Sequence, residues 1–116
     1  MPEVPYRVEK PWGHELIWAR TERYVGKILH VKAGHALSRQ YHKVKDETLH
    51  VLRGEAIIEF GASPEPQKRR LQEGESMHVP PGMIHRIEAV VDTDVLEAST
   101  PELDDLVRLS DHYGRG

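Results

Sequence analysis

The segment 34–54, GHALSRQYHKVKDETLHVLRG, contains three side chains that could bind one metal ion together. Gln40 and His42 are two residues apart, so in an extended chain they point to the same side. A turn over residues 43–46 would let the following strand bring Glu47 back to the same place. Glycines stand at both ends of the segment, as expected where a chain turns sharply. We therefore predict that an amide, an imidazole and a carboxylate converge here.

A fourth donor, His85, stands in a second glycine-bounded segment, 74–89, GESMHVPPGMIHRIEA, at the start of a β-patterned run. Two imidazoles, one carboxylate and one amide, without sulfur, suit a divalent cation of borderline or hard character. The predicted metal ligands are thus Gln40, His42, Glu47 and His85. Zinc is the first candidate, and manganese, nickel, cobalt or iron would fit the same donors.

The spacing of the two segments resembles the paired motifs of the cupin superfamily. In the first motif Gln40 stands where cupins usually have a histidine, and in the second Ala89 stands where asparagine is usual. The strings LSRQYH, VPPGMIHRIE, KPWG and DDLVRLSDHYGR narrow the resemblance to one branch. They are similar to the C-terminal domain of type II phosphomannose isomerases, the bifunctional mannose-6-phosphate isomerase/mannose-1-phosphate guanylyltransferases. The resemblance extends from Val8 to Arg115, and in that family a glutamine is the normal ligand at this place.

The resemblance implies a single cupin domain over residues 1–116, an all-β jelly-roll barrel or double-stranded β-helix. The residue pattern agrees, because short alternating runs are separated by Gly/Pro turns. Strands are predicted over HELIWA, 24–33, 37–42, 48–52, AIIEF, SMHV, MIHRIEAV and VLEAS. Residues 1–13 are expected to be extended and irregular. The tail from Pro101 fits either a short helical turn or a strand that closes the barrel.

Composition limits the classes of function. A chain of 116 residues has room for one core, so we expect no nucleotidyltransferase beside the barrel. The net charge of −3 argues against a nucleic-acid partner. The chain has no cysteine, and it shows neither an apolar leader at its start nor a run of 18 apolar residues. We expect a cytoplasmic protein without membrane contact, and a homodimer by analogy with cupins.

Aldose–ketose isomerisation of a sugar phosphate, the activity that the resemblance implies, needs a Lewis acid, a proton-transferring base and a cation for the phosphate. Lys45 stands where the family has arginine, and Arg86 follows the ligand His85 as it does in the family. Glu97 matches an acidic position in the family's final strand. These three are the predicted catalytic residues, although alternation along the strand points Arg86 out of the barrel. The alternative interpretation is that each of the three side chains is an ordinary ion-paired charge. The basic run Lys68-Arg69-Arg70 fits a charged edge strand better than a phosphate site.

The sequence does not identify the substrate, because it differs from the family at two places beside the ligands. Lys43-Val44 replaces the family's His-rich run after the first ligands, and Thr48-Leu49 replaces its His-Trp after the glutamate. One alternative function is a non-catalytic sugar-binding or sensing module. Another is a small metal-dependent dioxygenase, and a third is a barrel whose metal site is a relic. Of the other histidines, His14, His35 and His112 are predicted at the surface. His50 is predicted to face away from Glu47, and His78 is predicted on the opposite side of its strand from Met77 and Val79. His30 fits either side of the barrel.

Overall fold

Eleven strands follow the alternation of buried and exposed side chains in this computed structural model, which describes residues 3–62 and 64–114. In chain order they are β1 Tyr6–Lys10, β2 Gly13–Arg20, β3 Val25–Val31, β4 Arg39–Tyr41, β5 Glu47–Arg53, β6 Glu55–Phe60, β7 Gln67–Gln72, β8 Ser76–Val79, β9 His85–Ala89, β10 Thr93–Ser99 and β11 Val107–Ser110. Within the described ranges no helix is long and apolar enough to cross a membrane.

The strands form two sheets whose pairings are all antiparallel. One sheet has six strands in the order β1-β2-β3-β10-β5-β8, and the other has five in the order β11-β4-β9-β6-β7. Neighbours in a sheet are often distant in the chain, as when β10 lies between β3 and β5. This architecture confirms the predicted all-β jelly-roll barrel.

The core consists of inward-facing apolar side chains from both sheets. It includes Trp12, Leu29, Val31, Leu49, Val51, Ile58, Leu71, Val79, Ile87 and Val95. Removing a Val, Leu or Ile side chain from water contributes roughly 1.5–3 kcal/mol, so this set accounts for much of the driving force for folding. The same alternation carries polar groups inward, because Glu47 shares the inner face of β5 with Leu49 and Val51. His85 shares the inner face of β9 with Ile87 in the same way.

Two elements differ from the sequence-based expectations. The segment expected to be irregular contains β1, which pairs with β2 and lies between Pro5 and Pro11. The two prolines interrupt the sequence pattern, but they lie just outside the strand and remove none of its hydrogen bonds. The tail, for which two conformations were open, contains strand β11, which pairs with β4 at the edge of the five-stranded sheet.

Candidate metal and substrate site

Three of the four predicted ligands meet inside the barrel. Glu47 Oε1 lies 3.4 Å from His42 Nε2 and 3.2 Å from His85 Nε2. One donor atom from each of the three residues lies within 4.8 Å of the others, and all three side chains are buried. We call His42, Glu47 and His85 the ligand cluster. Glu47 begins β5, His85 begins β9 and His42 directly follows β4, so both sheets contribute to it.

Backbone carbonyls orient both imidazoles of the cluster. His42 Nδ1 donates to the carbonyl of Asp105 at 2.6 Å, and His85 Nδ1 donates to the carbonyl of Met83 at 3.0 Å. Because a carbonyl can only accept, each Nδ1 carries a hydrogen, and in a neutral ring the Nε2 lone pair is free. Both Nε2 atoms then face a carboxylate, an arrangement that requires either a proton or a cation between them. A hydrogen bond from the other ring nitrogen to a carbonyl is typical of metal-binding histidines.

The chemistry of the donor set fits a divalent cation. His42 Nε2 is buried and has no hydrogen-bond partner of suitable geometry among the described residues. Burial alone would raise the pKa of Glu47, but the neighbouring His42, His85 and Lys45 outweigh it and hold that pKa well below its usual range. Burial alone would lower the pKa of His42, but its contact with Glu47 outweighs burial, and the pKa of His42 is raised. The ionised carboxylate of Glu47 therefore favours a positive charge at the buried centre of the cluster.

Gln40, the fourth predicted ligand, lies beside the cluster. It is directly opposite His85 in the β4–β9 pairing, and it lines the adjoining cavity. Its Oε1 accepts a hydrogen bond of 2.6 Å from the hydroxyl of Ser38, which fixes the amide and leaves a second lone pair on that oxygen. Its role as a ligand stays a prediction.

The cavity next to the cluster has a volume of about 120 Å³ and contains two of the predicted catalytic residues, Lys45 and Glu97. Lys45 Nζ lies 3.0 Å from Glu97 Oε2 and 3.2 Å from Glu47 Oε2, so one ammonium bridges two buried carboxylates. Burial and the nearby charge of Glu47 raise the pKa of Glu97. Burial alone would lower the pKa of Lys45, but Glu97 and Glu47 raise it, so Lys45 stays charged.

Arg86, the third predicted catalytic residue, does not line this cavity. It alternates with the buried His85 and Ile87 along β9, and its guanidinium donates to the carbonyls of Leu37 at 3.1 Å and Ser110 at 3.3 Å. These contacts tie β9 to the outer C-terminal strand. We therefore leave Arg86 out of the mechanism, since its alternation along the strand carries it to the other face.

Several residues around the site had no role predicted from the sequence, and Asp105 is one of them. Its carboxylate accepts hydrogen bonds from the backbone N–H groups of Lys43, Val44 and Lys45 at 3.0, 2.7 and 2.8 Å. These bonds lower its pKa to about 2. Asp105 thus fixes the loop that carries His42 and Lys45, while its own carbonyl orients His42.

Other cavity residues had no predicted role. Lys27 forms a 3.3 Å ion pair with Glu15, and Lys10 and Arg108 also line the cavity. Lys10 belongs to KPWG and Arg108 to DDLVRLSDHYGR, two strings that carried the family resemblance. Their place at the site depends on which strands pair across the barrel, which residue spacing does not reveal.

The remaining histidines lie outside the cluster. His30, whose side was left open, is on the outer face of β3, where its Nδ1 lies 2.7 Å from Asp94 Oδ1 and its ring stacks on His14. His78 contacts Asp46, and His50 contacts Ser76, both on exposed faces. His35 is half-buried against the hydroxyl of Tyr113.

The sequence of this chain is similar to that of known proteins. The mannose-1-phosphate guanylyltransferase ManC of Salmonella typhimurium is 34% identical over 113 residues, which is 93% of this chain and 23% of that protein. The chain thus spans about a quarter of the length of such curated relatives.

Solved structures with low sequence identity share the fold. KdgF from Halomonas sp. has a TM-score of 0.76 at 22% identity, with 86% of this chain and 91% of that one covered. A cupin superfamily protein from Desulfitobacterium hafniense has a TM-score of 0.65 at 23% identity, with 74% of each chain covered. The barrel therefore has the same fold as these proteins. The model of the family described as mannose-6-phosphate isomerase C-terminal matches residues 3–111, and the chain belongs to that family.

Proposed function

We propose that this chain is a metal-dependent aldose–ketose isomerase that interconverts mannose 6-phosphate and fructose 6-phosphate. The observation that carries the proposal is the placement of Glu97 and Lys45. A buried carboxylate, held by a buried ammonium, faces the cavity beside the ligand cluster. A Lewis-acid position and a proton-transferring group thus adjoin one space, as isomerisation between neighbouring carbons requires. Membership of the mannose-6-phosphate isomerase C-terminal family supports the choice of sugar.

The cluster residues His42, Glu47 and His85, with Gln40, would hold the cation. When bound, such a cation polarises the oxygens at C1 and C2 of the sugar and stabilises negative charge on them. Gln40 and the two imidazoles are neutral ligands, so Glu47 cancels only one of the positive charges. The sugar oxygens would therefore experience a strong positive field.

Glu97 would remove the proton from C2 and return it to C1, while the hydroxyl proton passes from the C2 oxygen to the C1 oxygen. Its raised pKa suits this task, because a base works best when its pKa approaches the working pH. Lys45 would hold the carboxylate in place and would keep its own proton, since its pKa is raised. The burial of both side chains excludes water and so strengthens these electrostatic interactions.

The proposal retains zinc as the first candidate metal. The homodimer and the cytoplasmic location stay predictions.

A coupled assay tests the proposal on the purified full chain. Elemental analysis is expected to find about one divalent ion per chain, and mannose 6-phosphate is expected to yield fructose 6-phosphate. A chelator should abolish turnover, and adding the metal back should restore it. His85→Ala should lose both metal and turnover. His78→Ala, which removes an exposed histidine from strand β8, should keep both.

The other outcomes separate the alternatives. Stoichiometric metal without isomerisation would contradict the proposal and favour a sugar-binding or sensing module. Metal-dependent consumption of oxygen would indicate a dioxygenase instead. A chain that takes up no metal after reconstitution would show that the cluster is a relic.

A further inference from the structure

Arg108 differs from two other cations of the cavity, because it has no charge partner among the residues that the structure describes. Lys27 is paired with Glu15, and Lys45 is paired with Glu47 and Glu97. Arg108 also lines the cavity, but its guanidinium forms no ion pair or hydrogen bond with the described residues, and its Nε is buried. A guanidinium always carries its charge, and an unpaired charge that is partly withdrawn from water is costly. An anion bound beside Arg108 would therefore be stabilised.

Strand pairing fixes the direction of Arg108. It is directly opposite Gln40 in the antiparallel β4–β11 pair, and Gln40 is directly opposite His85 in the β4–β9 pair. Residues opposite one another in such pairs project to the same face of a sheet. Arg108, Gln40 and His85 thus form one row across the inner face of the five-stranded sheet. The row runs from the free cation to the ligand cluster.

A second cation approaches from the other sheet. Lys10 ends β1 in the six-stranded sheet and lines the same cavity, and it forms no ion pair with the described residues. The carboxylates nearby are already engaged, Glu15 by Lys27 and Glu97 by Lys45. Two uncommitted cations on opposite walls match a doubly charged ligand better than a single carboxylate. Arginine in particular binds phosphate through two parallel N–H donors.

We propose that Arg108, with Lys10 opposite, binds the phosphate group of the sugar substrate at the end of the cavity away from the ligand cluster. This inference rests on the proposed function for the identity of the sugar, while the anion site itself requires no turnover. Arg108 would supply the cation for the phosphate, a role for which the sequence offered Lys45 and Arg86 without a choice between them. A phosphate held here places the unphosphorylated end of an open-chain sugar towards Glu97 and the cluster. The site therefore discriminates phosphorylated from unphosphorylated sugars.

Calorimetric titration of the metal-loaded full chain tests this inference with three probes: mannose 6-phosphate, inorganic phosphate and mannose. The wild-type chain should bind both phosphate compounds and should bind mannose much more weakly. Arg108→Gln should weaken the binding of mannose 6-phosphate by about 10–100-fold, the range expected for lost charged hydrogen bonds, and should leave mannose unaffected. Arg108→Lys should recover part of the loss, and Lys10→Gln should show a smaller loss than Arg108→Gln.

Arg69→Gln is the matched control, because it removes one exposed arginine charge from edge strand β7. It should bind all three probes as the wild-type chain does. The inference is overturned if Arg108→Gln binds mannose 6-phosphate normally, or if it weakens mannose equally, which would indicate a structural role. Binding that depends on Arg108 without isomerisation would sustain the anion site and refute the proposed function. Isomerisation that is insensitive to Arg108→Gln would support the proposed function and refute the anion site.

Discussion

Two buried glutamates share one lysine and yet have opposite pKa shifts. Glu47 faces two imidazoles and Lys45, and these outweigh burial, so its pKa is lowered. Glu97 has Lys45 nearby, but burial and the charge of Glu47 prevail, so its pKa is raised. Divergent shifts in neighbouring carboxylates assign different tasks to them. Glu47 is suited to hold a cation, and Glu97 is suited to take up a proton.

Asp105 connects the C-terminal segment to the site, and its effect on stability should depend on pH. Its folded-state pKa of about 2 lies below the usual value of 3.8, so it stabilises the native state above about pH 4. That contribution disappears as the pH falls towards 2. We expect Asp105→Asn to unfold at lower urea concentration than the wild-type chain at pH 5–7, and the difference to vanish near pH 2.

Urea denaturation at intervals from pH 7 to pH 2 measures this effect. Asp104→Asn, an exposed neighbour, is the matched control and should show no comparable change. A difference between wild type and Asp105→Asn that stays constant down to pH 2 would contradict the assignment.

At the scale of elements, two glycines at the ends of the first motif differ in their surroundings. Both have positive φ, 78° at Gly34 and 96° at Gly54. A Cβ at Gly34 would meet nothing within 4 Å, whereas one at Gly54 would lie 2.6 Å from the Asp92 carbonyl oxygen and 2.9 Å from Thr93 Cα. The turn from β5 into β6 therefore needs glycine for space as well as for conformation.

Gly54→Ala should consequently destabilise the fold more than Gly34→Ala. Positive φ costs a residue with a Cβ about 1–2 kcal/mol, which applies to both variants. The backbone clash at Gly54 should add about 1–3 kcal/mol. Equilibrium unfolding in urea gives both free energies, and equal losses would mean that the turn yields enough to accommodate a methyl group.

Elements also show what the sequence could and could not predict. Alternation alone is enough to put Glu47 on the face of Leu49 and Val51, and His85 on the face of Ile87, because local spacing fixes the face of a residue in a strand. It could not place Arg108 beside Gln40, since that contact depends on β11 pairing with β4 across more than 60 residues of chain. The apolar spacing of the tail suited a helix and a strand equally. The tail forms a strand because it pairs with the free edge of β4.

At the scale of the whole molecule, both sheets supply residues to the site. The six-stranded sheet supplies Glu47 and Glu97, and the five-stranded sheet supplies Gln40, His85 and Arg108. His42 and Lys45 come from the loop between β4 and β5, which Asp105 fixes. The site forms only when both sheets close on one another, which agrees with donors that are scattered in sequence from residue 40 to residue 108.

The most direct test of the account is exchange of the C2 proton of mannose 6-phosphate in D₂O, followed by NMR with the metal-loaded full chain. The wild-type chain should remove the C2 proton as it forms fructose 6-phosphate, and deuterium should enter the product only to the extent that Glu97 exchanges its proton with solvent before returning it. Glu97→Gln should retain its metal and lose about 10²–10⁴-fold in rate, the usual contribution of a general base. A wild-type chain with a full complement of metal that leaves the C2 proton in place, or a Glu97→Gln variant that exchanges it at the wild-type rate, would contradict the account.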